Sequence, residues 1–82
     1  MTPGLHRLYM PHPANVRADD AGVPLALDGV AVEAVREEWL VEDRWWTPRS
    51  LRRRYFELAL ADGRAVTVFR RGRDGRWYRQ RA

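Results

Sequence analysis

Arg52-Arg53-Arg54 runs straight into Tyr55-Phe56, Trp45-Trp46 stands just before it, and the chain closes on Arg76-Trp77-Tyr78-Arg79-Gln80-Arg81. These residues suit recognition chemistry. A guanidinium presents a planar fork that grips phosphate or carboxylate through paired hydrogen bonds and stacks on aromatic rings. All 15 basic residues are Arg, a usage that also fits a GC-rich coding sequence. Groups suited to catalysis are scarce. Glu33, Glu37, Glu38, Glu42 and Asp43 lack the spacing of a metal-binding loop and have no His nearby in sequence. They read as surface charge or as partners for Arg. His6 and His12 fall in an aperiodic N-terminal stretch, and Ser50 and the Thr residues have no base partner in sequence, so nucleophilic catalysis has no support. Cysteine is absent, which removes thiolate chemistry, disulfides and, with only two His, a structural zinc site. The expectation is a binding module with no enzymatic activity, no cofactor and no metal.

Charge is divided unevenly. Residues 1–43 carry three Arg against eight acids, a net of −5, and residues 44–82 carry twelve Arg against three acids, a net of +9. A basic half of this size builds a field that attracts polyanions; part of it can pair with the acidic half inside the fold. At 82 residues the chain makes one domain at most, with a thin stability margin. No apolar stretch approaches the roughly 18 residues of a membrane span, and the N-terminus lacks a signal-peptide core. The expected setting is the cytoplasm, with no membrane partner.

The elements that must position the Arg and aromatic residues follow from the turns. Asp20-Ala21-Gly22, Asp28-Gly29, Asp62-Gly63 and Asp74-Gly75 punctuate the chain, and Asp-Gly is a strong hairpin signal because both residues accept positive φ cheaply. Residues 1–12 read as a flexible arm and 13–82 as an all-β domain. Ala14–Ala18 is a short strand. A two-residue turn at Asp28-Gly29 pairs Leu27 with Val30 and Leu25 with Val32 on one apolar face. The apolar parity then switches, with Val35, Glu37, Trp39 and Val41 in step, which calls for a bulge near Ala34. The competing reading is a helix from Val32 to Leu40. Residues 43–51 form a loop, since Pro48 cannot continue a central strand. A two-residue turn at Asp62-Gly63 pairs Leu60 with Ala65, Leu58 with Thr67 and Phe56 with Phe69 on the core face, and Tyr55 with Arg70 on the other. Arg76–Gln80 is the last strand. Five to six short antiparallel strands suggest a small SH3-like barrel or strongly curved sheet, which leaves few exposed edges.

This layout defines the candidate site. By alternation Arg52 and Arg54 share one face and Arg53 shares the other with Tyr55. With a four-residue last turn, Arg70 lies opposite Trp77, so Arg53, Tyr55, Arg70 and Trp77 make a basic-aromatic stripe. Such a stripe suits single-stranded nucleic acid, because cations track phosphates and rings stack bases. Trp45 and Trp46 point opposite ways on an extended loop. Either both cap a barrel end, or one faces outward as a stacking platform or protein anchor. The alternative function is a protein–protein module anchored by that Trp, with no nucleic-acid contact. Sequence leaves the oligomeric state open.

The run Trp39-Leu40-Val41-Glu42-Asp43-Arg44-Trp45-Trp46, followed by Arg52-Arg53-Arg54-Tyr55-Phe56-Glu57-Leu58, Asp62-Gly63, Val68-Phe69-Arg70 and Gly75-Arg76-Trp77-Tyr78-Arg79-Gln80, resembles a family of small bacterial domains of unknown function common in high-GC bacteria. The likeness covers about residues 9–81. Such domains occur free-standing or resemble the C-terminal extension of catalytically degenerate Y-family polymerase relatives that scaffold translesion synthesis. Members often carry an acid after the Phe-Arg of the fifth strand, where this chain has Arg71-Gly72. The resemblance implies no catalytic residue. It implies an accessory role in DNA repair, with a polymerase or repair protein as partner.

Overall fold

The computed structural model describes residues 12–43, 51–72 and 75–80. Seven strands, β1 (His12–Pro13), β2 (Val16–Ala18), β3 (Pro24–Leu27), β4 (Val30–Asp43), β5 (Leu51–Leu60), β6 (Ala65–Arg71) and β7 (Trp77–Gln80), form one antiparallel sheet in the order β1-β7-β6-β5-β4-β3-β2. The sheet curls into a half-barrel, and no helix occurs among the described residues. None of them therefore belongs to a helix long and apolar enough to cross a membrane.

The strand count exceeds the expected five to six because the first strand is split. Its two halves serve opposite margins of the curled sheet. His12 and Pro13 pair with Arg79 and Tyr78 of β7, whereas Val16 and Arg17 pair with Leu27 and Ala26 of β3. Between them the Ala14 amide donates to the Trp77 carbonyl (3.0 Å) and the Asp28 amide to the Asn15 carbonyl (2.7 Å). Residues 12–18 thus tie both margins together, and His12, expected in the flexible arm, stands in a strand.

The Asp28-Gly29 turn is the two-residue hairpin its sequence suggests. Both residues have positive φ, 49° and 84°, and Leu27 faces Val30. The Leu25–Val32 pairing does not form. Pairing skips Leu25 between Ala26 and Pro24, a bulge in the β2–β3 ladder, and Leu25 is exposed. Along β4 the pairing with β5 skips Glu33 and Arg36. The first bulge puts Val35 on the face of Val32, as the parity switch near Ala34 suggested, but the second reverses it, so Glu37, Trp39 and Val41 lie on the opposite face from Val35. The helix alternative for Val32–Leu40 is overturned, since the whole stretch is strand.

The β5–β6 hairpin corrects the expected register. The Leu60 amide donates to the Arg64 carbonyl and the Gly63 amide to the Leu60 carbonyl, both at 2.9 Å. The loop therefore contains three residues, Ala61, Asp62 and Gly63, and Gly63 takes the left-handed position at φ 92°, the three-residue arrangement closed by a bulge. Asp62 braces it, accepting from the Arg64 amide (3.1 Å) and the Arg64 guanidinium (2.8 Å). Those two donors, the backbone one first, hold its carboxyl below the usual range. One extra loop residue slips the ladder by one and moves partners to the other face. Phe56 now faces Val68 and Leu58 faces Val66, while Tyr55 faces Phe69 and Arg54 faces Arg70. Phe56 nevertheless stays in the core with Leu27, Leu58, Leu60 and Val68, and Val16, Val23, Val30, Val32, Val66 and Trp77 pack against this cluster.

Candidate functional site

Alternation along β5 sorts its arginines. Arg52 and Arg54 lie on the concave side, where the Arg52 guanidinium pairs with Glu42 (3.1 Å) and that of Arg54 with Glu38 (2.6 Å). Arg54 also donates to the Ala21 carbonyl (2.9 Å), and its guanidinium carbon lies 4.9 Å from the Phe56 ring centroid. Half-exposed pairs of this kind add little stability, but they neutralise two of the three consecutive arginines. Arg53 goes to the opposite, convex face with Tyr55.

On that convex face the register builds three parallel rows. The middle row is aromatic and crosses four strands: Trp39 faces Tyr55, Tyr55 faces Phe69, and Phe69 faces Tyr78. Centroids are 5.2, 5.0 and 5.4 Å apart, with interplanar angles of 8°, 32° and 21°. Antiparallel strands less than 5 Å apart place directly opposite side chains within stacking range. The row on one flank is Val41, Arg53 and Arg71. Its guanidinium carbons lie over the aromatic row, Arg53 at 5.5 Å from the Phe69 centroid and Arg71 at 4.5 Å from that of Tyr78. The row on the other flank is Glu37, Glu57, Thr67 and Gln80.

Accessibility grades along the aromatic row. Phe69, sandwiched by Tyr55 and Tyr78 beneath Arg53, is 4% exposed. Trp39, at the β4 end, is 38% exposed. Ring faces inside the row pack against one another, and Trp39 at the β4 end is its most exposed ring. Charge polarises the surface, with cations along one side of the rings and two carboxylates along the other.

Of the residues singled out from sequence, Arg53 and Tyr55 come together as expected. Arg70 and Trp77 are indeed opposite each other, but on the concave face. Arg70 donates from Nε to the Gly75 carbonyl (3.3 Å), and Trp77 tilts against Phe56 with centroids 5.7 Å apart. The stripe of Arg53, Tyr55, Arg70 and Trp77 is therefore split between two faces, because the longer turn slipped Tyr55 onto Phe69. Trp45 and Trp46 lie outside the described residues. Sequence reasoning missed Trp39, Phe69, Tyr78 and Arg71. A three-residue reading of Ala61-Asp62-Gly63 would have aligned Tyr55, Phe69 and Tyr78, and Trp39 already shared parity with Val41. Among the described residues no three His, Asp or Glu gather to hold a metal ion.

No family model, curated protein or solved structure matches the chain.

Proposed function

We propose that this chain is a non-enzymatic binding module that takes single-stranded nucleic acid on the convex face of its sheet. The observation that carries the reading is the row Trp39, Tyr55, Phe69 and Tyr78 with Arg53 and Arg71 laid over it. The Arg53 guanidinium carbon lies 5.5 Å from the Phe69 centroid, and a guanidinium stacked on a ring can still turn N–H groups to a phosphate. An exposed Trp at the end of the row offers a face to any base, since base–aromatic stacking does not depend on sequence. The Glu37–Glu57 side repels phosphate and so sets which way the strand lies. Accessory work in DNA-damage tolerance, implied by the family resemblance, is the setting we propose, with a polymerase or repair protein as co-partner.

Fluorescence anisotropy with a labelled single strand of about ten nucleotides tests the proposal. Each neutralised phosphate on a single strand contributes about −0.7 to the slope of log affinity against log salt, so a contact from Arg53 gives a slope of about −0.7 or steeper. A protein that binds no oligonucleotide at low salt, or binds one indifferently to salt, refutes the reading. The protein–protein alternative anchored by Trp45 or Trp46 would then be the better account.

A further inference from the structure

The longest strand is half unpaired. β4 has 14 residues, yet it pairs with β3 only at Val30 and Ala31. From Val32 onward its ladder runs to β5 alone, and among the described residues no other backbone group bonds to that second edge. Every other residue of a strand turns its N–H and C=O to one side, so this edge presents a row of open donors and acceptors.

Proteins normally protect such an edge with bulges, Pro, Lys or short length. The first part of β4 is protected in this way, because Glu33 and Arg36 are bulged. Glu37–Asp43 is not: its pairing with β5 is continuous, and it contains no Pro, no Lys and no bulge. Apolar side chains stand exposed on it, Trp39 at 38% and Leu40 at 60%. A shallow depression lined by Glu38, Trp39, Leu40 and Arg54 runs beside them.

Charge selects the occupant. Glu37–Asp43 carries four acids and no base. Glu38 and Glu42 are satisfied by Arg54 and Arg52, but Glu37 faces Glu57 directly. Neither carboxylate belongs to an ion pair among the described residues. Like charges directly opposite each other are unfavourable, and an incoming cation relieves them. A second copy of this chain would instead add four more acids. We infer that the Glu37–Asp43 edge is a docking site for an extended segment of a partner protein that alternates basic and apolar residues. The segment adds a strand to the sheet, placing its basic side chains on the convex side beside Glu37, Glu57 and the Trp39 ring and its apolar ones on the concave side against Leu40. The edge shares Trp39 with the proposed nucleic-acid face, so a partner strand and a stacked base compete for that ring.

The probe is a peptide of about nine residues alternating Arg with Val, long enough to span the edge. Three controls accompany it: a backbone N-methylated copy, a copy with Glu for Arg, and a single-stranded oligonucleotide. Affinity is read by anisotropy, and amide hydrogen exchange is read residue by residue on the intact protein. The Arg-Val peptide should bind and slow exchange at alternate amides of Glu37–Asp43. The methylated and acidic copies should not, and Glu37→Arg should weaken binding about tenfold. The inference is overturned if the peptide leaves those amides unprotected, if the acidic copy binds equally well, or if the oligonucleotide gives the same protection. It is equally overturned if the protein alone sediments as a dimer with the edge already protected.

Discussion

Phe56→Ala is expected to leave the domain largely unfolded at room temperature. Phe56 is fully enclosed. It faces Val68 across the β5–β6 ladder, meets the Trp77 ring on one side and lies under the Arg54 guanidinium on another. Removing a buried Phe ring costs about 3–5 kcal/mol through lost burial and the cavity left behind. A domain of 82 residues holds about 4–12 kcal/mol in total, and one this small falls toward the lower end. Denaturant melts followed by circular dichroism check this, and an unchanged midpoint would place Phe56 outside the core.

Trp39→Ala has the largest expected effect on binding. The ring stacks on Tyr55 alone among the described aromatic residues and is more than a third exposed, so its loss costs the fold little. Its free face is where the first base stacks, and one stacked base is worth about 1–3 kcal/mol. Affinity for the oligonucleotide should fall by about five- to 150-fold. The salt slope should stay where it is, because stacking releases no counterions. Anisotropy titrations at two salt concentrations separate these two quantities. A flattened slope with unchanged low-salt affinity would mean that Trp39 acts through its acidic neighbours rather than by stacking.

The two Asp-Gly turns show where legibility ended. Asp28-Gly29 and Asp62-Gly63 are the same dipeptide, yet the first uses both residues at positive φ and the second only Gly63. Adding Ala61 to the loop is a choice between two turns of similar cost, made by the packing of the strands rather than by the dipeptide. The outcome was uneven. Phe56 kept its face because the alternation Phe56, Leu58, Leu60 fixes β5 whatever its partner does. Phe69 and Arg70 exchanged faces because β6 alternates less decisively, with Val66 and Val68 on one side and Phe69 on the other. The first bulge in β4 was visible as a parity switch near Ala34, but the second, which reverses it and turns Trp39 and Val41 to the convex face, was not. The division of the first strand was not, since nothing in Pro13-Ala14-Asn15-Val16 announces that the chain passes from one margin of the sheet to the other. Arg52, Arg53 and Arg54 were sorted correctly, because alternation in a strand is imposed by the backbone itself.

Arg53 and Arg70 report on opposite faces of the sheet. Arg53 lies over Phe69 on the convex side. Arg70 lies opposite Trp77 on the concave side, donating to the Gly75 carbonyl. The decisive measurement is the salt dependence of single-strand affinity for Arg53→Ala and Arg70→Ala in parallel. Arg53→Ala should weaken binding and flatten the slope by about 0.7, the share of one phosphate, while Arg70→Ala keeps the wild-type slope. A slope that flattens with Arg70→Ala and not with Arg53→Ala would put the ligand on the concave side and contradict the account.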